Sequence, residues 1–241
     1  MFRVLLFDLD GTLIQVDMRV FVKEYFRHLG MHLSPVIDPQ QLKEHLGYAT
    51  QQMIFNQDPE KTNREVFWEV FLDRVELPLD LLEPLIDEFY QHKFKNLKPF
   101  TRCKPEARAV MDRAEGLNFE LVLATNPVFP SSAIYQRMQW GKVDRYDYSL
   151  VTTYENMHFC KPNPQYYLEI LDKVGADPGE CLMIGNDVDD DLCAAEVGIK
   201  TYLVEDFLIN RHERPFEADY RGSLKELPDF LEEVAGASRR T

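Results

Sequence analysis

The sequence has only four cysteines, Cys103, Cys160, Cys181 and Cys193, with no C-x-x-C pair and no zinc-finger spacing. Nothing here suggests a disulfide framework or a structural zinc, so reduced and mostly buried thiols are expected. No apolar run approaches the length of a membrane span. The opening stretch Met1-Phe2-Arg3-Val4-Leu5-Leu6-Phe7 meets Asp8 and Asp10 too early to serve as a signal peptide. Positive charge is scarce: 27 Lys and Arg face 41 Asp and Glu in 241 residues, a net charge of −14. Such a chain repels nucleic-acid backbones and anionic lipid, and no local basic patch offsets this. The six histidines form no metal-ligand spacing, and repeats and low-complexity tracts are lacking. The expectation is a soluble, cytoplasmic protein with no nucleic-acid or membrane partner.

What is present suffices for a core, with 45% apolar and 12% aromatic residues. At about 150 residues per domain the length suggests one large domain or two unequal ones. Short apolar runs of strand character occur at Val4–Phe7, Phe119–Ala124, Tyr148–Thr152, Cys181–Ile184 and Lys200–Val204. Helix-like segments accompany the later ones: Pro105–Ala114, Pro130–Gln139, Pro164–Val174, Asp189–Val197 and Ser223–Val234. This alternation predicts right-handed βαβ units and an α/β fold with a parallel, helix-covered sheet. From about residue 15 to 98 the pattern changes to a period of 3.6. Met18, Phe21, Val22, Tyr25, Phe26 and Leu29 make one stripe; Val66, Phe67, Val70 and Phe71 make another; Leu81, Leu82, Leu85, Ile86 and Phe89 a third. Loops at Asp38-Pro39, Asp58-Pro59 and Leu77-Pro78 separate them, and residues 236–241 read as a frayed tail. A helical insert, residues 16–98, thus interrupts a core made of 1–15 and 99–241.

The functional signal is positional. Val4–Phe7 runs directly into Asp8-Leu9-Asp10-Gly11-Thr12, and Leu121–Ala124 into Thr125-Asn126. After the third strand comes a loop with Cys160-Lys161-Pro162, and after the fourth Gly185-Asn186-Asp187-Val188-Asp189-Asp190-Asp191. In open parallel sheets ligands bind beyond the carboxyl ends of the strands, so these clusters converge on one crevice. Asp8 and Asp10 are two apart and face the same way on extended backbone. Carboxylates that close resist joint ionisation unless one keeps a proton or a cation sits between them. Asp187, Asp189 and Asp191 alternate like the first ligands of an EF-hand loop. The sixth position is Leu192 and the twelfth Gly198, so that reading fails.

The chain resembles the haloacid dehalogenase superfamily. Asp8-Leu9-Asp10-Gly11-Thr12 is similar to its phosphatase-type first motif, Thr125-Asn126 to the second, Lys161 to the third and Gly185–Asp191 to the acidic fourth. The helical insert lies where the family's first class of cap domain is found. The resemblance implies a Rossmann-like core, a mobile all-helical cap, magnesium, and phosphoryl transfer through an aspartyl phosphate.

On that resemblance Asp8 is the nucleophile, and Asp10 the acid and base that cycles a proton. Thr125, Asn126 and Lys161 bind phosphate. Mg²⁺ is held by Asp8, Asp10 and Asp187, with Asn186 or Asp191 behind or bound through water. Ionised Asp8 and Asp187, protonated Asp10 and Lys161 leave the site one charge negative; Mg²⁺ reverses the sign for a phosphate dianion. The expected activity is hydrolysis of a small phosphorylated metabolite, since a closing cap excludes a folded protein. A phosphomutase would share the first transfer. A dehalogenase would leave Asp10 and the fourth-motif acids unexplained, and a non-catalytic binding protein would have no need to keep Asp8, Asp10, Lys161 and Asp187. The insert's aromatics Tyr48, Trp68 and Tyr90 are expected in its core, not against substrate. Substrate identity and oligomeric state are not legible.

Overall fold

The structure, a computed structural model, describes residues 2–237. Its centre is β1 (Val4–Phe7), all four residues of which are fully buried. On one side lie β4 (Glu120–Leu123) and β5 (Tyr148–Val151); on the other lie β6 (Cys181–Gly185), β7 (Lys200–Val204) and β8 (Tyr220–Gly222). The six-stranded order is β5-β4-β1-β6-β7-β8, with every neighbouring pair parallel. Helices α5 (Pro105–Gly116), α6 (Ser131–Gly141), α7 (Pro164–Val174) and α8 (Leu227–Ala237) join the core segments. Because all strands run the same way, their carboxyl ends share one edge. The fold is an α/β, Rossmann-like parallel sheet with an inserted helical cap.

The insert is entered and left through a two-stranded antiparallel ribbon, β2 (Ile14–Val16) with β3 (Thr101–Cys103), which the sequence pattern does not announce. Its helices are α1 (Met18–Leu33), α2 (Pro39–Ile54), α3 (Asn63–Val75) and α4 (Leu79–Glu88). A π-helical turn at Phe89–Lys93 and a 3₁₀ segment at Phe94–Phe100 follow. α2 falls where the sequence shows only a narrow stripe, Leu42, Leu46, Ala49 and Met53. Asp38-Pro39, read as a loop, starts this helix: the Asp38 carboxylate accepts from the Gln40 and Gln41 N–H groups, and Pro39 takes the first turn. Thr62 and Glu65 close a capping box on α3.

Two core segments depart from the expected helices, both because side chains capture backbone groups. Residues 189–191 form a turn and Leu192–Val197 a 3₁₀ segment, since Asp187 accepts from the N–H groups of Asp189 and Asp190. Ser223 donates through N–H and hydroxyl to Glu226, which delays α8 to Leu227. Gly236 and Ala237 belong to α8 and not to a tail; residues 238–241 lie outside the described residues. All four cysteines are free, and Cys160, Cys181 and Cys193 are buried. Among the described residues no helix is long and apolar enough to cross a membrane.

Candidate active site

At the carboxyl edge of the sheet lies a cavity of about 220 Å³ lined by Asp8, Asp10, Thr125, Asn126, Asn186, Asp187 and Asp191. Seven of the eight site residues expected from the sequence thus share one wall. The eighth, Lys161, stands behind it, 1% exposed, with Nζ 3.1 Å from Asp8 Oδ1 and 2.6 Å from Asp191 Oδ1.

Asp8 continues β1, its N–H donating to the Ile184 carbonyl at 2.9 Å. Gly11 then turns the chain at φ +93°, and a Cβ there would come within 2.4 Å of Asn186 Nδ2. Buried Lys104 pins this turn by donating to the Gly11 and Thr12 carbonyls. Asn186 is fully engaged, accepting from Thr12 Oγ1 at 3.0 Å and donating to the Phe207 carbonyl at 2.6 Å. The Asn126 amide donates to the Lys161 carbonyl and to Asp190, so it ties two loops together.

Asp191 is the keystone of the fourth loop. One oxygen accepts from Lys161 and the other from the Asp187 N–H at 2.9 Å. It presses on Gly185, where a Cβ would lie 2.1 Å from Asp191 Oδ2. Gly185→Ala is therefore expected to cost about 1–3 kcal/mol or more by overpacking. Urea denaturation checks this; an unchanged midpoint would show that the loop yields freely.

Burial pushes the Asp8 carboxyl up to about 8; Asp191 and Asp10 push the same way, while Lys161 pulls back. Burial also works against the charge on Lys161, but Asp191 and Asp8 overcome it and hold the ammonium well above its usual range. Asp187 is raised mainly by burial, and Asp190, buried beside Asp187, is pushed up to about 6.

Two arginines complete the site, and the sequence reading passed over both. Arg137 of α6 is 1% exposed, donates to Asp10 and stacks on the Phe129 ring at 4.7 Å. A signal existed: Arg137 interrupts the buried face formed by Ala133, Ile134, Met138 and Gly141. Arg211, from the loop after β7, reaches Asp187 at 2.6 Å. That strand also ends at the shared edge, so the loop after it opens on the same crevice as the other four. Asp190 likewise lines the cavity.

Among the described residues no three acidic, histidine or cysteine side chains stand as a ready-made metal cage. The donors nevertheless fit a hard cation: Asp8, Asp10 and Asp187 bring carboxylate oxygens to one cavity, where burial first, and then Asp191 and Asp10, disfavour the charge on Asp8. Each is now held by a side-chain cation, Lys161, Arg137 or Arg211.

This constellation on this topology has a known counterpart: residues 2–198 match the haloacid dehalogenase-like hydrolases. The chain belongs to that family. It is an enzyme, a hydrolase. It is 23% identical over 232 residues to the pyrophosphatase PpaX of Oceanobacillus iheyensis, covering 95% of each chain. It is 24% identical to the phosphoglycolate phosphatase of Aquifex aeolicus, covering 83% of this chain and 84% of that one. The fold resembles the crystal structure of a HAD phosphatase from Thermococcus onnurineus, with a TM-score of 0.57 at 19% identity, over 95% of this chain and 97% of that one. In the haloacid dehalogenase-like phosphatases a metal cofactor is general.

Proposed function

We propose that this hydrolase is a Mg²⁺-dependent phosphatase that cleaves small phosphorylated metabolites through an aspartyl phosphate on Asp8. The observation that carries this reading is a carboxylate buried at the end of the central strand, on the wall of the cavity, 3.1 Å from the Lys161 ammonium and two residues from a second carboxylate. The named phosphatase relatives support it. In this reading residues 1–15 and 99–241 are the catalytic core and residues 16–98 the cap, which moves about the β2–β3 ribbon and excludes bulky substrates.

Asp8 attacks phosphorus in line, and the alkoxide leaves with the proton of Asp10. Arg137 holds Asp10 in place for both halves of the reaction. Asp10 next takes a proton from water, whose oxygen attacks phosphorus and frees Asp8. Thr125 faces the phosphate, while Lys161 compensates the charge gathered on Asp8. Asp8, Asp10 and Asp187 would hold Mg²⁺, with Asn186 and Asp191 behind them. When bound, the ion supplies positive charge to the phosphoryl oxygens. To hold the ion, Asp187 would release Arg211, whose side chain is half exposed and also faces Asp189 and Asp190.

The test is phosphate release from a panel of phosphorylated metabolites. EDTA is expected to silence release and Mg²⁺ to restore it, with calorimetry showing Mg²⁺ binding that Asp187→Asn weakens. Undiminished hydrolysis in chelator removes the metal from the reading. An isomerised product without free phosphate would make the enzyme a phosphomutase.

A further inference from the structure

A second cavity, of about 310 Å³, lies between the insert and the loops that follow β4 and β5. Its wall is apolar, formed among others by Val22, Tyr25 and Phe26 of α1, Phe67 and Trp68 of α3, and Tyr154. It adjoins the acidic cavity: Met18, Val128 and Phe129 line both. Trp68 and Tyr90, expected as core, are buried and face this space, whereas Tyr48 is 42% exposed beneath the Arg74 guanidinium.

Two observations set this chamber apart from ordinary packing. Met18, Val22, Phe26, Phe67 and Val128 are only partly buried around it, while Phe21, Leu33 and Phe71 of the same helices, which do not line it, are sealed. Unfilled apolar space of this size is not how a finished core packs. Among the described residues no charged side chain lines the chamber; the Tyr25 and Tyr90 hydroxyls are joined to each other at 2.8 Å, and the unpartnered Trp68 indole N–H and Thr50 are among the few polar groups on its wall. A sugar, a polyol or a second phosphate would leave most of its hydroxyls, or its charge, without partners there, at a cost of roughly 1–3 kcal/mol for each group.

We propose that this chamber receives the alcohol half of the substrate, and that the substrate is a phosphate monoester of an apolar, ring-bearing alcohol. The proposal rests on the phosphatase reading and deepens it. An apolar void of about 150 Å³ holds benzene, so this one holds a ring with a linker, or two fused rings. Met18, unbranched and adaptable, stands between chamber and phosphate site. The chemistry at phosphorus is unchanged: the bond from phosphorus to the alcohol oxygen breaks, that oxygen leaves with the Asp10 proton, and water provides the oxygen of the released phosphate.

The test compares 2-phenylethyl phosphate with ethyl phosphate in the presence of Mg²⁺. Their leaving groups are similarly basic, so a difference reports on the ring's surroundings and not on leaving ability. The expected kcat/KM is about 10- to 100-fold higher for the phenylethyl ester, the gain of burying one phenyl group. Val22→Trp, which fills the chamber, brings the ratio toward one, with a thermal melt to show that it folds; Thr50→Trp serves if it does not. Equal kcat/KM for the two esters, or a preference for ethyl phosphate, overturns the chamber and leaves the phosphatase reading standing. If neither ester is cleaved, the metabolite panel alone decides the phosphatase reading, and ligand-observed NMR with 2-phenylethanol decides the chamber. Saturable binding that Val22→Trp abolishes supports it; no binding overturns it.

Discussion

Asp8→Asn is expected to lower phosphate release on the order of 10⁴-fold or more while leaving the fold intact. The amide keeps the shape of the carboxyl but has no anionic oxygen with which to displace an alkoxide from phosphorus, and loss of a covalent nucleophile removes the whole two-step route. The chain tolerates the change because burial already disfavours the charge on Asp8, and Lys161 keeps its pair with Asp191. Single-turnover phosphate release measures the first effect and a thermal melt the second. Substantial residual turnover would remove Asp8 as nucleophile, and a collapsed melt would show that the residue is structural.

Lys161→Met has the largest expected effect on stability. Methionine fills much the same volume, yet it leaves Asp8 and Asp191, which are buried and share Nζ, without their cation. Breaking a buried ion pair from one side costs about 3–5 kcal/mol. Here one carboxyl also carries the fourth loop, since Asp191 holds the Asp187 N–H. Urea denaturation reads the loss. Lys161→Met combined with Asp191→Asn is expected to recover part of it, because the orphaned charge is gone. A Lys161→Met midpoint equal to wild type would mean that water or a neighbour replaces the ammonium, and the site would not be as closed as its burial indicates.

The site was legible where a strand announces its own end. Val4–Phe7 is a run of buried residues, so the polar residue that follows must emerge at the edge of the sheet, and Asp8 lines the cavity there. The same logic placed Thr125, Asn126, Asn186 and Asp187. It failed for Arg137 and Arg211. The first reaches the site sideways from a helix, and the second from a loop well past its strand, and neither direction is encoded by local spacing. The departures at Asp189–Val197 and Ser223 have another cause: helix periodicity was present, but Asp187 and Glu226 compete for the N–H groups the helix would use.

By itself the chain order of apolar runs and polar clusters determined the parallel sheet, the helical insert and the edge where chemistry is possible, because alternation and period follow from backbone geometry alone. Which cation faces which carboxylate was decided only by tertiary structure. Lys161 with Asp8, Arg137 with Asp10 and Arg211 with Asp187 join residues far apart in the chain. The apolar chamber is a property of the same kind. It is the space left where α1, α3 and the loops after β4 and β5 fail to close on one another, and no stretch of sequence contains a void.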